Sequence, residues 1–232
     1  MRVFFDWFIE NSLLVLLSLA SVFTALWLMQ FRERLKIKWP AVLVLTLLHV
    51  GYGVLCVRLF AAMEGTVGGM SLFGAVFFMP LAYFLGAKAT KRSMAEVFDI
   101  FGIAMIATLL FARCNCLASG CCLGRLITSA STLRWPTREL EIIYYIAFLI
   151  CFIPKVTHQK TQGSLYPVYM LTYGVFRFII EFFRVSNTNQ LFHLSHLWAA
   201  LAAIVGLSVV FEQREDRKKH HQNSTKGGKL KC

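Results

Sequence analysis

The sequence predicts an all-α, polytopic membrane protein with about seven spanning helices, and three observations carry that prediction. Of its 232 residues, 57% are hydrophobic and 16% charged, which leaves too little polar surface for an ordinary soluble domain of this size. The apolar residues, 21 phenylalanines among them, lie in long runs and not in the short alternating segments of a membrane β-barrel. Every lysine falls within the stretches 32–38, 88–92, 155–160 and 214–231. These are alternate inter-span loops plus the C-terminal segment, the pattern of the positive-inside rule. The net charge of +12 therefore reads as membrane topology, and no nucleic-acid partner is expected.

Apolar windows place spans near 12–31, 39–61, 70–87, 97–117, 139–154, 164–183 and 194–211. The run from Ser12 to Phe31 is too long for a signal-peptide core, lacks a small-residue cleavage site and ends at the basic stop Arg32 to Lys38; it reads as a retained first span. Gly68, Gly69 and Gly74 head the third span and Pro80 lies inside it, which predicts an irregular start followed by a kink. The fifth span is short and opens on Glu139 and Glu141, so it either enters at an angle or packs deep in the bundle. The Ala-rich seventh span suits close helix contact. With the first basic loop inside, the N-terminus is outside, the segment 118–138 extracytoplasmic and the C-terminus cytoplasmic. Residues 1–211 form one helical membrane domain, and 212–232 a basic, disordered tail.

The sixth span departs from this apolar pattern. Tyr173, Arg177, Glu181 and Arg184 share one helical face at i, i+4, i+8 and i+11, while phenylalanine and isoleucine cover the rest. An ionisable group at membrane depth costs roughly 2.5 to 3.5 kcal/mol on insertion scales and usually faces a protein interior or a substrate. A polar site inside the membrane is the expectation. The basic residues outside the four stretches are all arginines, the side chain whose planar fork suits an oriented phosphate; interfacial snorkelling accounts for part of that bias.

Between Arg113 and Arg125 the chain reads Cys-Asn-Cys-Leu-Ala-Ser-Gly-Cys-Cys-Leu-Gly. Small residues admit a ligand close to the backbone, Gly120 and Gly124 take turns closed to other residues, and the flanking arginines suit a headgroup phosphate. An interfacial turn with snorkelling arginines reads the same residues equally well. Cys114, Cys116, Cys121 and Cys122 lack the paired spacing of zinc modules, so no metal is expected. They read as small packing residues, with a disulfide open on the oxidising side. His193 and His196 fall on one face at the start of the seventh span, as interfacial hydrogen-bonding groups or as a general base. Glu141, a carboxylate near membrane depth, calls for an arginine partner or a proton.

These pieces together resemble the bacterial prolipoprotein diacylglyceryl transferases. Gly51-Tyr52 and Gly68-Gly69-Met70-Ser71 look like that family's Gly-Gly-x-Ser region. Arg113 to Arg125 resembles its Arg-x-Gly-Asn-x-x-x-Gly-x-x-x-Gly-Arg signature, and Arg134 to Glu141 its Arg-His-Pro-Ser-Gln-Leu-Tyr-Glu. Tyr173 to Arg184 matches Tyr-Gly-x-x-Arg-Phe-x-x-Glu-Phe-Phe-Arg most closely. The resemblance implies a cytoplasmic-membrane enzyme of bacteria that moves the diacylglyceryl group of phosphatidylglycerol, or a related anionic phospholipid, onto the cysteine thiol of a lipoprotein precursor peptide, without a cofactor. By motif position it implies that Arg113 and Arg177 carry the phosphate and that Glu141 and Glu181 orient them or move protons. Arg125 and Arg184 stand at the mouth, and Gly69, Ser71, Gly120, Gly124 and Tyr173 complete the phospholipid site.

The chain departs from the family where protons are handled. Phe73 and Trp135 stand at two family histidines, Cys116 at an asparagine, Ser119-Gly120-Cys121 at Asn-Gly-Glu, and Arg138-Glu139-Leu140 at Gln-Leu-Tyr. Either another group serves as base, with His193, His196 and Glu181 as candidates, or the chain is a divergent paralogue with a different acceptor or a non-catalytic lipid-binding or transport role. A thiol oxidoreductase built on the cysteines is a further reading, without a Cys-x-x-Cys pair to support it.

Overall fold

Among the described residues the chain forms seven helices, α1 (Arg2–Gln30), α2 (Trp39–Met63), α3 (Phe73–Thr90), α4 (Met94–Ala118), α5 (Thr137–Thr157), α6 (Leu165–Glu181) and α7 (Leu194–Gly228). The computed structural model describes residues 2–65, 69–128, 132–185 and 192–228; Gly68 lies outside the described residues. Five helical stretches, Ile9–Gln30, Trp39–Met63, Met94–Ala118, Thr137–Thr157 and Leu194–Lys219, are long and apolar enough to cross a membrane. The apolar part of α3, Phe73–Ala89, is shorter, and α6 carries Arg177 and Glu181 in its last two turns. The all-helical, multi-pass architecture expected from composition is the one observed.

The third span begins later than hydropathy suggests. Residues 69–72 are not α-helical, and Ser71 N–H donates to the carbonyl of Val57 at 3.0 Å, laying this segment against α2. A Cβ on Gly74 would strike the Cys56 carbonyl, so glycine is what lets α3 approach α2. From Phe73 the helix runs through Pro80 to Thr90.

α4 forms the centre of the bundle, with Ile100, Ile103, Ala104 and Ile106 fully buried and the indole of Trp27 donating to the Ile100 carbonyl at 2.9 Å. α6 lies close against α7. A Cβ on Gly174 would sit 2.5 Å from the Ala203 nitrogen and 2.6 Å from the Ala199 carbonyl, and one on Gly206 would meet Pro167 and Leu171. This is the small-residue contact that the Ala-rich seventh span implies. Large apolar side chains such as Leu14, Leu47, Leu55, Ile143, Ile150 and Ile204 point outward, as a lipid-facing surface requires.

At the basic end, Arg34 donates to the Val156 carbonyl at 2.9 Å and Arg92 to that of Lys36 at 3.2 Å. Asp99 of α4 accepts from Thr161 Oγ1 at 2.5 Å and from the N–H groups of Gly163 and Leu165 at 2.8 and 3.3 Å. This buried carboxylate satisfies donors at the start of α6 from a neighbouring helix. α7 continues as helix through Gly228, into the segment whose composition alone suggests disorder. Gln213 and Arg217 donate to the carbonyls of Gly163 and Thr161, and these contacts hold its first polar turns against the bundle.

Candidate active site

At the other end, α4, α5 and α6 each project acidic or basic side chains into the interior of the bundle. Arg113, Glu141, Arg177 and Glu181 are 4%, 1%, 3% and 7% exposed, so each needs a partner. They satisfy one another in a chain of alternating charge. The Arg113 Nε pairs with Glu141 Oε2, while the Arg177 Nη1 reaches Glu141 Oε1 at 2.6 Å and its Nη2 reaches Glu181 Oε2 at 2.8 Å. Arg184, just beyond α6, closes the chain on Glu181 Oε2 at 3.3 Å. Glu141 thus receives an arginine on each oxygen, so the arginine partner that its position calls for is supplied twice. Three guanidinium groups against two carboxylates leave one net positive charge.

That charge borders a cavity of about 170 Å³ lined by Arg113, Arg177, Arg184, Tyr173, Ser71 and Glu64, among others. The volume is that of roughly six waters. Two larger cavities, of 390 and 550 Å³, have mostly apolar linings and hold none of the buried ion pairs. Ring stacking supports the charged face: Tyr173 stacks on Tyr169 with centroids 5.4 Å apart, and the Arg177 guanidinium lies 5.9 Å over the Phe73 ring. With Arg113, Arg177 and Arg184 all on its wall, the cavity offers a cluster of guanidinium donors suited to a phosphodiester.

The residues singled out in the sequence divide by position. Arg113, Ser71, Tyr173, Arg177 and Arg184 line the cavity; Glu141 and Glu181 stand behind it and hold the arginines. Arg125 does another task. Its Nε donates to the Arg184 carbonyl at 2.8 Å, and its backbone N–H to that of Phe183 at 2.8 Å. Isolated bridges pair Gly124 with Arg184 and Leu126 with Arg134, so the loop after α4 is fastened to the end of α6. Gly124 lies under the Trp135 carbonyl, where a Cβ would collide. Gly120 is an exposed turn residue at φ 69°, and neither it nor Gly69 is among the residues that line the cavity.

Neither histidine faces this cavity. His196 is buried against Phe178 and Phe182, with ring centroids 5.3 and 4.5 Å away, and its Nδ1 accepts the His193 N–H at 3.1 Å. It holds the start of α7, and its neighbour Ser195 is the residue that reaches the cavity. Trp135 packs on Phe183 with centroids 4.6 Å apart. Sequence reasoning passed over Glu64, which caps α2, and read Cys122 as a small packing residue; both line the cavity. Burial pushes the Glu64 carboxyl above its ordinary value of 4.5, against the hydroxyl of Ser71, which acts the other way. A lone acidic residue between an apolar run and a glycine segment was the available signal. The six described cysteines, Cys56, Cys114, Cys116, Cys121, Cys122 and Cys151, are free thiols.

Comparison with known proteins gives the chain its relatives. A family model described as prolipoprotein diacylglyceryl transferase matches residues 12–212. A protein from Clostridium perfringens named phosphatidylglycerol–prolipoprotein diacylglyceryl transferase 2 is 26% identical over 129 residues, which is 50% of each chain. The transferase of that name from Helicobacter pylori is 24% identical over 176 residues, 68% of this chain and 62% of its own. The one from Chlorobaculum tepidum is 27% identical over 168 residues, 65% and 58% of the two chains. The matches thus span half to three fifths of these relatives' own lengths. No solved structure matches the chain.

Proposed function

The chain belongs to the prolipoprotein diacylglyceryl transferase family, and from that premise we propose that it transfers the diacylglyceryl group of phosphatidylglycerol, or a related anionic glycerophospholipid, to a cysteine thiol of a lipoprotein precursor. The observation that carries the reading is the Arg113–Glu141–Arg177–Glu181–Arg184 chain, buried and one positive charge in excess beside a small cavity. In the reaction the thiol gives its proton to water, its sulfur forms a bond to the terminal glyceryl carbon, and the bond between that carbon and the phosphate oxygen breaks. The electron pair departs with the phosphate as glycerol phosphate. Arg113 and Arg177 bind that phosphate and stabilise the charge gathering on it, in a setting where preorganised donors act most strongly. Glu141 and Glu181 keep the two guanidinium groups oriented, Arg184 stands at the mouth, and Ser71 and Tyr173 line the site.

Positive-inside loops orient the bundle with the basic end in the cytoplasm, so this site opens to the outer leaflet of a bacterial inner membrane, where a translocated precursor arrives. The test is transfer of labelled diacylglycerol from phosphatidylglycerol to a lipobox peptide by membranes containing the protein. Transfer that vanishes in Arg177→Ala supports the reading; absence of transfer to any cysteine peptide, or normal turnover in that variant, sinks it. Phe73, which places an inert ring against Arg177, favours a second reading, a lipid-binding or transport paralogue. Phosphatidylglycerol that co-purifies and remains intact after prolonged incubation with acceptor thiols selects that one.

A further inference from the structure

One cluster of reactive side chains is unused by the phosphate site. Cys116, in the last turn of α4, and Cys121 and Cys122, in the connection after it, bring their sulfurs within 4.8 Å of one another, with Cys122 and Cys116 Sγ 4.0 Å apart. In sequence these thiols lack any metal-module spacing. Left-handed backbone at Gly120 (φ 69°) and Cys122 (φ 58°) folds the connection back on the helix end and assembles the group.

We propose that Cys116, Cys121 and Cys122 bind a zinc-type thiophilic divalent ion through three thiolates and leave its fourth position for the acceptor cysteine at the cavity. A tetrahedral zinc site has Zn–S bonds of about 2.3 Å, hence sulfurs roughly 3.8 Å apart, so closing the cluster asks for shifts of no more than about 1 Å. Three protein ligands and one open position are the mark of a catalytic site and not of a closed structural one. Cys122 itself lines the cavity with Arg113 and Arg177, so the cluster borders the place proposed for the phosphate. Three thiolates around a dication carry one net negative charge. Arg113 Nη1, 4.0 Å from Cys116 Sγ, supplies a compensating cation. Arg138 Nη1 donates to the carbonyls of Cys116 and Cys121, at 3.4 Å each, and ties α5 to both halves of the cluster.

This assignment rests on the proposed transfer reaction for its role, and on the sulfur geometry for its existence. A thiol coordinated to such an ion is deprotonated outright. The acceptor S–H proton passes to water, the sulfur keeps its electron pair and uses it to form the S–C bond, and the C–O pair leaves with the phosphate; nothing is oxidised or reduced. The thioether formed is a weak ligand, so product is released and the three cysteines are restored. Thiol activation by the ion is the work left undone where Phe73 replaces a titratable group.

Cobalt(II) is the probe. Purified full-length protein with its thiols reduced by a phosphine should take up one equivalent, with intense thiolate-to-cobalt charge transfer and tetrahedral d–d bands. Cys116→Ser, Cys121→Ser and Cys122→Ser should each weaken binding by at least about tenfold, while Cys56→Ser and Cys151→Ser bind as the parent does. A lipobox peptide should shift the d–d bands, and its serine analogue should not. Two results overturn the site: no cobalt uptake by protein with all three thiols titratable, or a Cys116–Cys122 disulfide in protein isolated from membranes without reductant. Labelled-lipid transfer on the same preparations separates the two levels. Cobalt binding with the peptide-dependent shift but no transfer keeps the site and removes the transferase reading; transfer that survives chelation and Cys122→Ser keeps that reading and overturns the metal's part in it.

Discussion

Glu141→Gln isolates the electrostatic design of the site. The substitution keeps the shape of a residue 1% exposed, removes its charge and turns one of its two acceptor oxygens into a donor that faces a guanidinium group. Glu141 holds Arg113 on one oxygen and Arg177 on the other. Without the charge, Arg177 keeps Glu181, Arg113 loses its only carboxylate among the described residues, and the chain passes from one net positive charge to two. Breaking a buried pair in this way costs about 3 to 5 kcal/mol, which for a chain of this length corresponds to a fall of roughly 6 to 20 °C in Tm. The assay is thermal unfolding in detergent, with and without phosphatidylglycerol. The variant should unfold earlier and gain more from the anionic lipid than the parent does. A double-mutant cycle with Arg113→Gln should show coupling of about 2 kcal/mol or more. A Tm loss under about 2 °C with no coupling would refute the argument, because it would mean that the two charges are solvated or partnered elsewhere.

Arg177→Lys keeps the charge but cannot grip Glu141 and Glu181 with two nitrogens at once; turnover in the labelled-lipid assay should drop by about 10²- to 10³-fold, as for loss of one preorganised donor, with the protein still folded. Gly124→Ala drives a methyl group into the Trp135 carbonyl and should cost about 1 to 3 kcal/mol in unfolding experiments, while Gly120→Ala meets no neighbour but sits at a left-handed φ of 69° and should cost about 1 kcal/mol through backbone strain alone. Glu64→Gln tests the cavity carboxylate. Its pKa is raised in the folded protein, so the fold binds that proton more tightly than the unfolded chain does; the resulting stabilisation is complete below about pH 4.5 and is lost as pH rises through the raised value. The Tm of the parent relative to Glu64→Gln should therefore fall between pH 4 and pH 7, and a difference independent of pH would show that the carboxyl is unperturbed.

The sequence by itself determined the class, the number of helices and the identity of most of the charged site. Apolar runs and basic loops are local properties of the chain, and a charge at membrane depth is costly enough to announce itself without any structure, so Glu141, Arg177 and Glu181 stood out as candidate site residues, and the family resemblance added Arg113. Tertiary structure decided what those charges do to one another. Only the packing of α4, α5 and α6 sets Glu141 between two arginines, sends Arg125 to a backbone carbonyl, turns His196 into the brace of α7 and brings Glu64 from the end of α2 to the cavity wall. The cysteines show the same division. Their spacing carried no metal pattern, because coordination depends on distances between sulfurs in space, and the backbone turn at Gly120 and Cys122 that sets those distances is invisible to composition and periodicity.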